Sequence, residues 1–467
     1  MNQKAKPKIN PIFDSNLTYR MPQHLKTFPK GGVHPPEEKF AANSPVKKLG
    51  TPEQVCIPIA QHIGAPSKPI VKRKDQVKAG DTIAQSEGFV SSNIHASVSG
   101  TVQKIDHIID TTGFRKPCVV IKVEGDEWNA DIDTTKDIIR DFSLSGREII
   151  DKVLQAGVVG MGGATFPSHV KLSIPEGKHV DTLIINGVEC EPYLTSDHRI
   201  MLERTEELLI GIRLLRKALG VDRAIIGIEH NKPDAIEHIR NLVSHEEGLE
   251  VYALKVKYPQ GGEKQLTKAV LNREVPSGGL PLDVGVVVHN VGTALAVYEA
   301  VQKNKPLIER VVTVTGPSVT KPSNFLVRIG TPVNELLNAA GGIPEDTGKI
   351  VSGGPMMGKA LSNLNVPVVK GTSGILVVPE SKANRAEETQ CIRCGKCVDA
   401  CPMGLEPYLL KQLAKLERFE DCEAQAIMDC MECGSCSFTC PAKLPLLDYI
   451  RLGKTNVNRL IRNRKNN

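Results

Sequence analysis

The stretch CIRCGKCVDACP, Cys391 to Pro402, returns 39 residues later as CMECGSCSFTCP, Cys430 to Pro441. Each half reads C-x2-C-x2-C-x3-C-P, the run that supplies thiolates to paired 4Fe-4S clusters, the fourth cysteine of each run ligating the cluster of the other. Three cysteines at intervals of three wrap one cubane when the backbone between them coils tightly, with its amides aimed at the sulfides. The proline then turns the chain and carries the fourth thiolate to the neighbouring cluster. The spacing therefore predicts Cys391, Cys394, Cys397 and Cys440 on one cluster and Cys430, Cys433, Cys436 and Cys401 on the other. Zinc competes for thiolates, but four-thiolate zinc sites draw on two ligand pairs rather than three successive cysteines and a distant fourth. Disulfides are disfavoured because the chain opens without a secretory signal. Paired clusters mean one-electron transfer. The 28 residues between Cys401 and Cys430 leave room for two helical segments, so a helical ferredoxin arrangement is expected here.

At 467 residues the chain exceeds what one core can organise and should divide into roughly three to five domains. Hydrophobic content of 40% and charged content of 24% are ordinary for a globular protein. No window approaches ~18 uninterrupted apolar residues, so a cytosolic or peripheral protein is expected. The net charge of +6 is concentrated at the end, where RLGKTNVNRLIRNRKNN holds six Lys or Arg and no acid. That end reads as a solvated, disordered tail or as a docking element for an anionic membrane face or acidic partner. Nucleic acid is disfavoured, since aromatic residues make up 4% and no binding module accompanies the charge. Among the other cysteines, Cys56, Cys118 and Cys422 are expected to be buried as apolar residues, and Cys190 to pack rather than react.

Composition divides the rest. Residues 1–50 are rich in Pro, Lys and Gly and read as an arm lying on something else. Across 51–130, short β-prone runs (VCIPIA, KPIV, TIAQ, ASVSGTVQKI, CVVIKV) alternate with turns and predict a small all-β unit. It resembles the barrel-sandwich domain of biotinyl and lipoyl carriers, but the tip at Ser91-Ser92-Asn93 has no lysine, so no covalent biotin or lipoate is expected. Over 131–306 helix and strand alternate. Ser145 and Glu148 offer a capping box, and apolar runs at Thr182 to Ile185, Ala224 to Ile228, Val251 to Val256 and Val284 to Val288 predict a parallel sheet covered on both faces. Met201 to Leu219 has helical periodicity. Residues 307–365 suggest a β-grasp-like unit, 366–450 the cluster domain, and 451–467 the basic tail.

Within the α/β region, GVVGMGGATFPSHVK (Gly157 to Lys171) carries glycines at 160, 162 and 163 and a lysine eight residues beyond. Such a loop lets backbone approach a phosphate or flat ring, with amides donating to anionic oxygens. Its spacing is not the G-x-G-x-x-G of dinucleotide-binding folds, and no strand directly precedes it. An ordinary tight turn is the bland alternative.

The loop resembles the flavin and nicotinamide loop of the NADH-oxidising flavoprotein subunit of respiratory complex I. Three further segments match in order: NGVECEP (Asn186 to Pro192), YPQGGEK (Tyr258 to Lys264) and VHNVGT (Val288 to Thr293). With GGVHPP (Gly31 to Pro36), QHIGAPSKP (Gln61 to Pro69), GGPMMG (Gly353 to Gly358) and both cysteine runs, residues 25 to 450 resemble the RnfC family, from the Rnf electron-transport complex.

The resemblance implies a multidomain α/β protein: a parallel-sheet FMN/NADH-binding domain, a barrel-sandwich domain, an SLBB-like β-grasp domain and a helical domain with two 4Fe-4S clusters. It implies non-covalent FMN, with NAD(H) as hydride donor or acceptor. Gly160, Gly162, Gly163 and Lys171 would contact FMN, and Asn186, Asn290 and Thr293 would complete its cradle. Phe166 would stack on the nicotinamide nucleotide, and Glu191 and Glu263 would hydrogen-bond its ribose or amide groups; Glu189 joins the cofactor-binding set. Partners would be a ferredoxin-like subunit and integral membrane subunits that couple electron flow to cation pumping, with soluble ferredoxin as a further candidate, at the cytoplasmic face of the bacterial inner membrane. The chain departs from the complex I pattern at Gly262, His289, Gly292 and Thr165. Two other readings stand beside this one: a soluble FMN/iron-sulfur reductase such as a cobalamin reductase, and a non-catalytic iron-sulfur scaffold.

Overall fold

Four strands, Leu249–Leu254, Arg223–Glu229, Thr182–Asn186 and Val286–Asn290, lie side by side in that order and all run parallel. Their near-continuous apolar runs suit a sheet with helices on both faces. From Thr182–Asn186 the chain steps outward through the next two strands, then returns to place Val286–Asn290 on the opposite side. The strand order therefore reverses between Asn186 and Asn290, which are register partners at the carboxyl ends of adjacent strands. Such a reversal opens a crevice, the place where open α/β sheets bind ligands.

The computed structural model describes residues 25–466; the first 24 residues of the arm and Asn467 lie outside the described residues. The helix Gly146–Gln155 begins with the reciprocal Ser145/Glu148 capping box. The periodic stretch Met201 to Leu219 is two helices, Ser196–Glu203 and Thr205–Leu219, because Arg204 adopts φ −129° and interrupts the first.

Ahead of this domain, the strands Gln54–Pro58, Arg115–Val123, Gly100–Ile109 and Gln76–Val77 form one antiparallel sheet, and Lys68–Pro69, Thr82–Gln85 and Ile94–His95 a second. Their inner residues, among them Val55, Ile83, Ile94 and Ile121, share one hydrophobic core with Leu183 and Ile226 of the parallel sheet. The tip at Ser91-Ser92 is buried rather than presented, and the carbonyl of Asn93 accepts a hydrogen bond from Lys370 Nζ at 2.8 Å. Cys118 and Cys422 are buried, whereas Cys56 is only half-buried.

The third sheet runs Val46–Lys48, Ser323–Arg328, Glu309–Thr315, Gly374–Pro379, Thr347–Ser352, Lys359–Ala360. Two of its strands lie outside the range 307–365. Val46–Lys48 comes from the arm and pairs with Ser323–Arg328. Gly374–Pro379, placed by sequence with the cluster domain, fills the middle, where Ile375 and Val377 join the core. A short apolar run of six residues has no periodicity that ties it to the sheet rather than to its neighbour in sequence.

The cluster domain contains short helices, including Pro407–Lys415 and Phe419–Ala424, and ends in the helix Leu446–Asn466. The basic end is thus helical rather than disordered. Leu446, Ile450 and Val457 recur at helical spacing and bury one stripe, and Arg464 pairs with Glu423 at 2.8 Å. Among the described residues no helix is long and apolar enough to cross a membrane.

Candidate functional site

The glycine loop is pinned at its neck. Gly160 N–H donates to the carbonyl of Phe166 at 2.8 Å, and Val159 bridges Pro167. The residues between bulge outward, leaving Gly162, Gly163 and Ala164 exposed. Gly163 has φ +123°, a conformation that side-chain-bearing residues rarely adopt. Thr165 sits at φ +52°, and its methyl has room because a Cβ at Gly371 would come within 2.6 Å of it. Phe166 is half-buried beside the neck.

The loop lies against the switch point. Met161 N–H donates to Thr293 Oγ1 at 2.9 Å, which ties it to the first turn of the helix Val291–Lys303. Asn290 caps that helix by accepting from Gly292 N–H at 2.8 Å, and its amide donates to Asp197 at 2.6 Å and to the carbonyl of Asn186 at 3.4 Å. Asn186 donates to the carbonyl of Gly261 at 2.8 Å. Lys171 donates to Glu263 at 2.5 Å and to the carbonyl of Val288 at 3.1 Å. The structure thus brings Gly160, Gly162, Gly163, Lys171, Asn186, Glu263, Asn290 and Thr293 to one end of the sheet. The positive end of the Val291–Lys303 helix and the Lys171 ammonium make it electropositive.

Glu189 and Glu191 are engaged elsewhere. The Glu189 carboxylate accepts from Asp197 N–H at 2.8 Å, His198 N–H at 3.2 Å and Ser196 Oγ at 3.2 Å, so it closes the start of the helix Ser196–Glu203. Glu191 accepts from the backbone N–H groups of Met356 and Met357, at 3.2 and 2.8 Å, inside the GGPMMG loop. Burial pushes its carboxyl up to about 7 against the opposing pull of those two donors. In place of the nucleotide contacts expected for them, both hold protein backbone. Between them Cys190 accepts from Gly261 N–H at 3.4 Å, and burial drives its thiol far up, as for a packing residue.

His289 stands out where sequence pointed only to a departure. Its ring is 2% exposed, neither nitrogen has a hydrogen-bond partner, and burial, with Lys171 nearby, pushes it down to about 3. An unpaired buried imidazole is costly unless something polar meets it. Open glycine backbone, a lysine, a helix start and this ring together fit a flavin with its phosphate.

The cysteines sort as the spacing predicts. Cys401 joins Cys430, Cys433 and Cys436 around a single cavity closed by Leu405, Leu410 and Ile450. Backbone amides of Leu405 and Glu432 donate to the sulfurs of Cys401 and Cys430, each at 3.4 Å. No three His, Cys, Asp or Glu side chains among the described residues converge as a single metal ion requires; thiols set around a cavity suit a cubane better than zinc. Burial pushes Cys430 up to about 11 and Cys436 up to about 12, so coordination is what would hold them as thiolates. Cys440 is buried with Cys397 against the same core, while Cys391 and Cys394 are exposed.

A phosphate-ready glycine loop at the switch point of a parallel sheet, wired in one chain to an eight-thiol domain, defines an electron-transfer flavoprotein of the iron-sulfur kind. Family models agree segment by segment: an RnfC barrel sandwich hybrid domain over residues 26–126, a Nuo51 FMN-binding domain over 153–299, an SLBB domain over 311–360 and a 4Fe-4S dicluster domain over 390–444. The chain is 47% identical over 92% of its length to the RnfC-type component of the proton-translocating ferredoxin:NAD(+) oxidoreductase complex of Clostridium ljungdahlii, covering 94% of that protein. It is 44% identical to the counterpart in the Na(+)-translocating complex of Acetobacterium woodii, covering 92% of this chain and 96% of that one. To the corresponding component of the ion-translocating oxidoreductase complex of Rhodobacter capsulatus it is 42% identical, covering 91% and 82%. The chain belongs to the RnfC family of the ferredoxin:NAD oxidoreductase complexes.

Proposed function

We propose that this chain is the NAD-facing subunit of a membrane-bound ferredoxin:NAD oxidoreductase, exchanging hydride with NAD(H) and passing single electrons through two 4Fe-4S clusters. FMN, when bound, supplies the conversion between two-electron and one-electron transfer. Hydride transfer needs no acid or base from the protein, so the residues act by placement. Gly160, Gly162 and Gly163 offer backbone to the flavin, Lys171 and the Asn290-capped helix start neutralise its phosphate, and Asn186 and Thr293 hold the loop to the sheet. Phe166 stacks on the nicotinamide nucleotide, and Glu263 hydrogen-bonds it from its place beside Lys171. Glu189 and Glu191 shape the segment between them through backbone contacts. Partner subunits couple electron flow to ion translocation, and the chain sits peripherally on the cytoplasmic face of the membrane.

The single observation that carries this reading is the joining of the two sites: the segment from Tyr258 to Glu263 reaches the glycine loop at one end and the Cys433 backbone at the other. Anaerobic purification with iron, labile-sulfide and flavin analysis tests it. About eight irons and one FMN per chain are expected, with NADH-dependent ferricyanide reduction by the purified chain. Protein that binds no flavin and ignores NADH refutes the reading.

A further inference from the structure

Tyr258 is 2% exposed and touches two parts of the molecule at once. Its hydroxyl donates to the carbonyl of Cys433 at 2.8 Å. Its backbone pairs in both directions with Val33 of the arm, N–H to carbonyl at 2.9 and 2.8 Å. One residue earlier on the arm, Gly32 N–H donates to the carbonyl of Ala400 at 2.9 Å, next to Cys401. Gly31, at φ +67°, lies so close that a Cβ there would stand 2.5 Å from the Cys401 carbonyl carbon. Cys401 and Cys433 line the same cavity.

Neighbouring contacts press the same cluster segment onto the α/β domain. A Cβ at Gly262 would come within 2.5 Å of Met431 Cε, and Gln265 Nε2 donates to Met403 Sδ at 3.1 Å. The other cysteine run faces outward: Cys391 and Cys394 are exposed, and Ile392 between them is 68% exposed.

We infer that Tyr258 is the positioning residue that joins the flavin loop to the cluster held by Cys401, Cys430, Cys433 and Cys436, making this the inner cluster and leaving the Cys391, Cys394, Cys397 and Cys440 cluster as the outer one. The inference rests on the function proposed above. Two electrons that enter together as hydride leave singly, and each must cross from the glycine-loop domain to the cysteine domain. The Tyr258 hydroxyl is a direct bond between them, and it ends on the peptide of a cluster ligand. Hydrogen bonding and exposure around a cluster set its potential. Loss of this hydroxyl should therefore alter one cluster and leave the other alone.

The test is Tyr258→Phe in the full chain, purified anaerobically with flavin and both clusters. Redox titration with dithionite, followed by electron paramagnetic resonance, should shift the midpoint of one cluster signal only, the one that Cys401→Ser abolishes. Rapid-freeze sampling after NADH addition should show that signal appearing about ten-fold more slowly, with iron, flavin and the rate of flavin bleaching unchanged. If both signals keep their wild-type midpoints, or the shifted one survives in Cys401→Ser, the inference is overturned. Should Tyr258→Phe lose iron, Gly31→Ala presses the strap from the opposite side and is read by the same two outcomes. The dithionite arm needs no NADH, so failure of the proposed function, seen as wild-type flavin that NADH does not bleach, is told apart from failure of this inference.

Discussion

Lys171 and Glu263 stand 2.5 Å apart at the edge of the glycine loop, and both are partly open to solvent. Their pairing neutralises the lysine while leaving it free to exchange partners with an arriving anion. Lys171→Ala should weaken FMN binding by about ten-fold, the scale of one charged hydrogen bond. Iron content should stay at the wild-type value. Fluorescence titration with FMN alongside iron analysis checks this; loss of iron together with flavin would mark the loop as merely structural.

Glu189 holds two backbone amides and a hydroxyl at the start of the helix Ser196–Glu203. Glu189→Ala should therefore cost about 2 kcal/mol, as loss of a helix cap does. The expected result is a thermal midpoint lower by about 5 °C, with flavin stoichiometry kept below that temperature. Intact stability with reduced NADH affinity would instead return Glu189 to the nucleotide.

Glu191 gives a pH signature. In the unfolded chain its carboxyl titrates at 4.5, and in the folded protein at about 7, because burial outweighs its two backbone donors. Between those values the folded form keeps a proton that the unfolded chain releases. The stabilisation is complete below the lower value and is lost as pH rises through the upper one. Glu191→Gln should remove that slope. From about pH 5.5 to about pH 7.5 the wild type should lose on the order of 2 kcal/mol relative to the variant, read as a growing difference in Tm. Parallel curves would disprove it.

Cys401 lies in the first cysteine run but lines the cavity of the second. Cys401→Ser should therefore remove about four irons and the signal of the cluster held by Cys430, Cys433 and Cys436. A loss confined to the Cys391 run would show uncrossed ligation.

These outcomes depend unequally on what the chain announces in one dimension. The cysteines are legible because cubane wrapping is a local demand, met within a dozen residues. The parallel strands are legible because burial on both faces writes continuous apolar runs. The roles of Glu189 and Glu191 are not, since each satisfies amides that face it only after the chain has folded, those of Met356 and Met357 lying more than 160 residues from Glu191. Gly374–Pro379 escapes assignment because a six-residue strand does not say which sheet it enters. The terminal helix does leave a signal, in Leu446, Ile450 and Val457, but the density of basic residues around it reads as a solvated tail. His289 and Tyr258 both lie within matched segments, and only their burial sets them apart from their neighbours.

The arm from Lys26 to Lys48 crosses the whole molecule, bridging Leu254, meeting Ala400 and ending beside Ser323–Arg328. It leaves the ribosome first, yet its seat next to Cys401 is made roughly 370 residues later, the kind of distant closure that folds slowly. The early segment must wait, undocked, while three domains form behind it. Its closure over Tyr258 is then a final latch, one that can shut only on a cysteine domain already in shape.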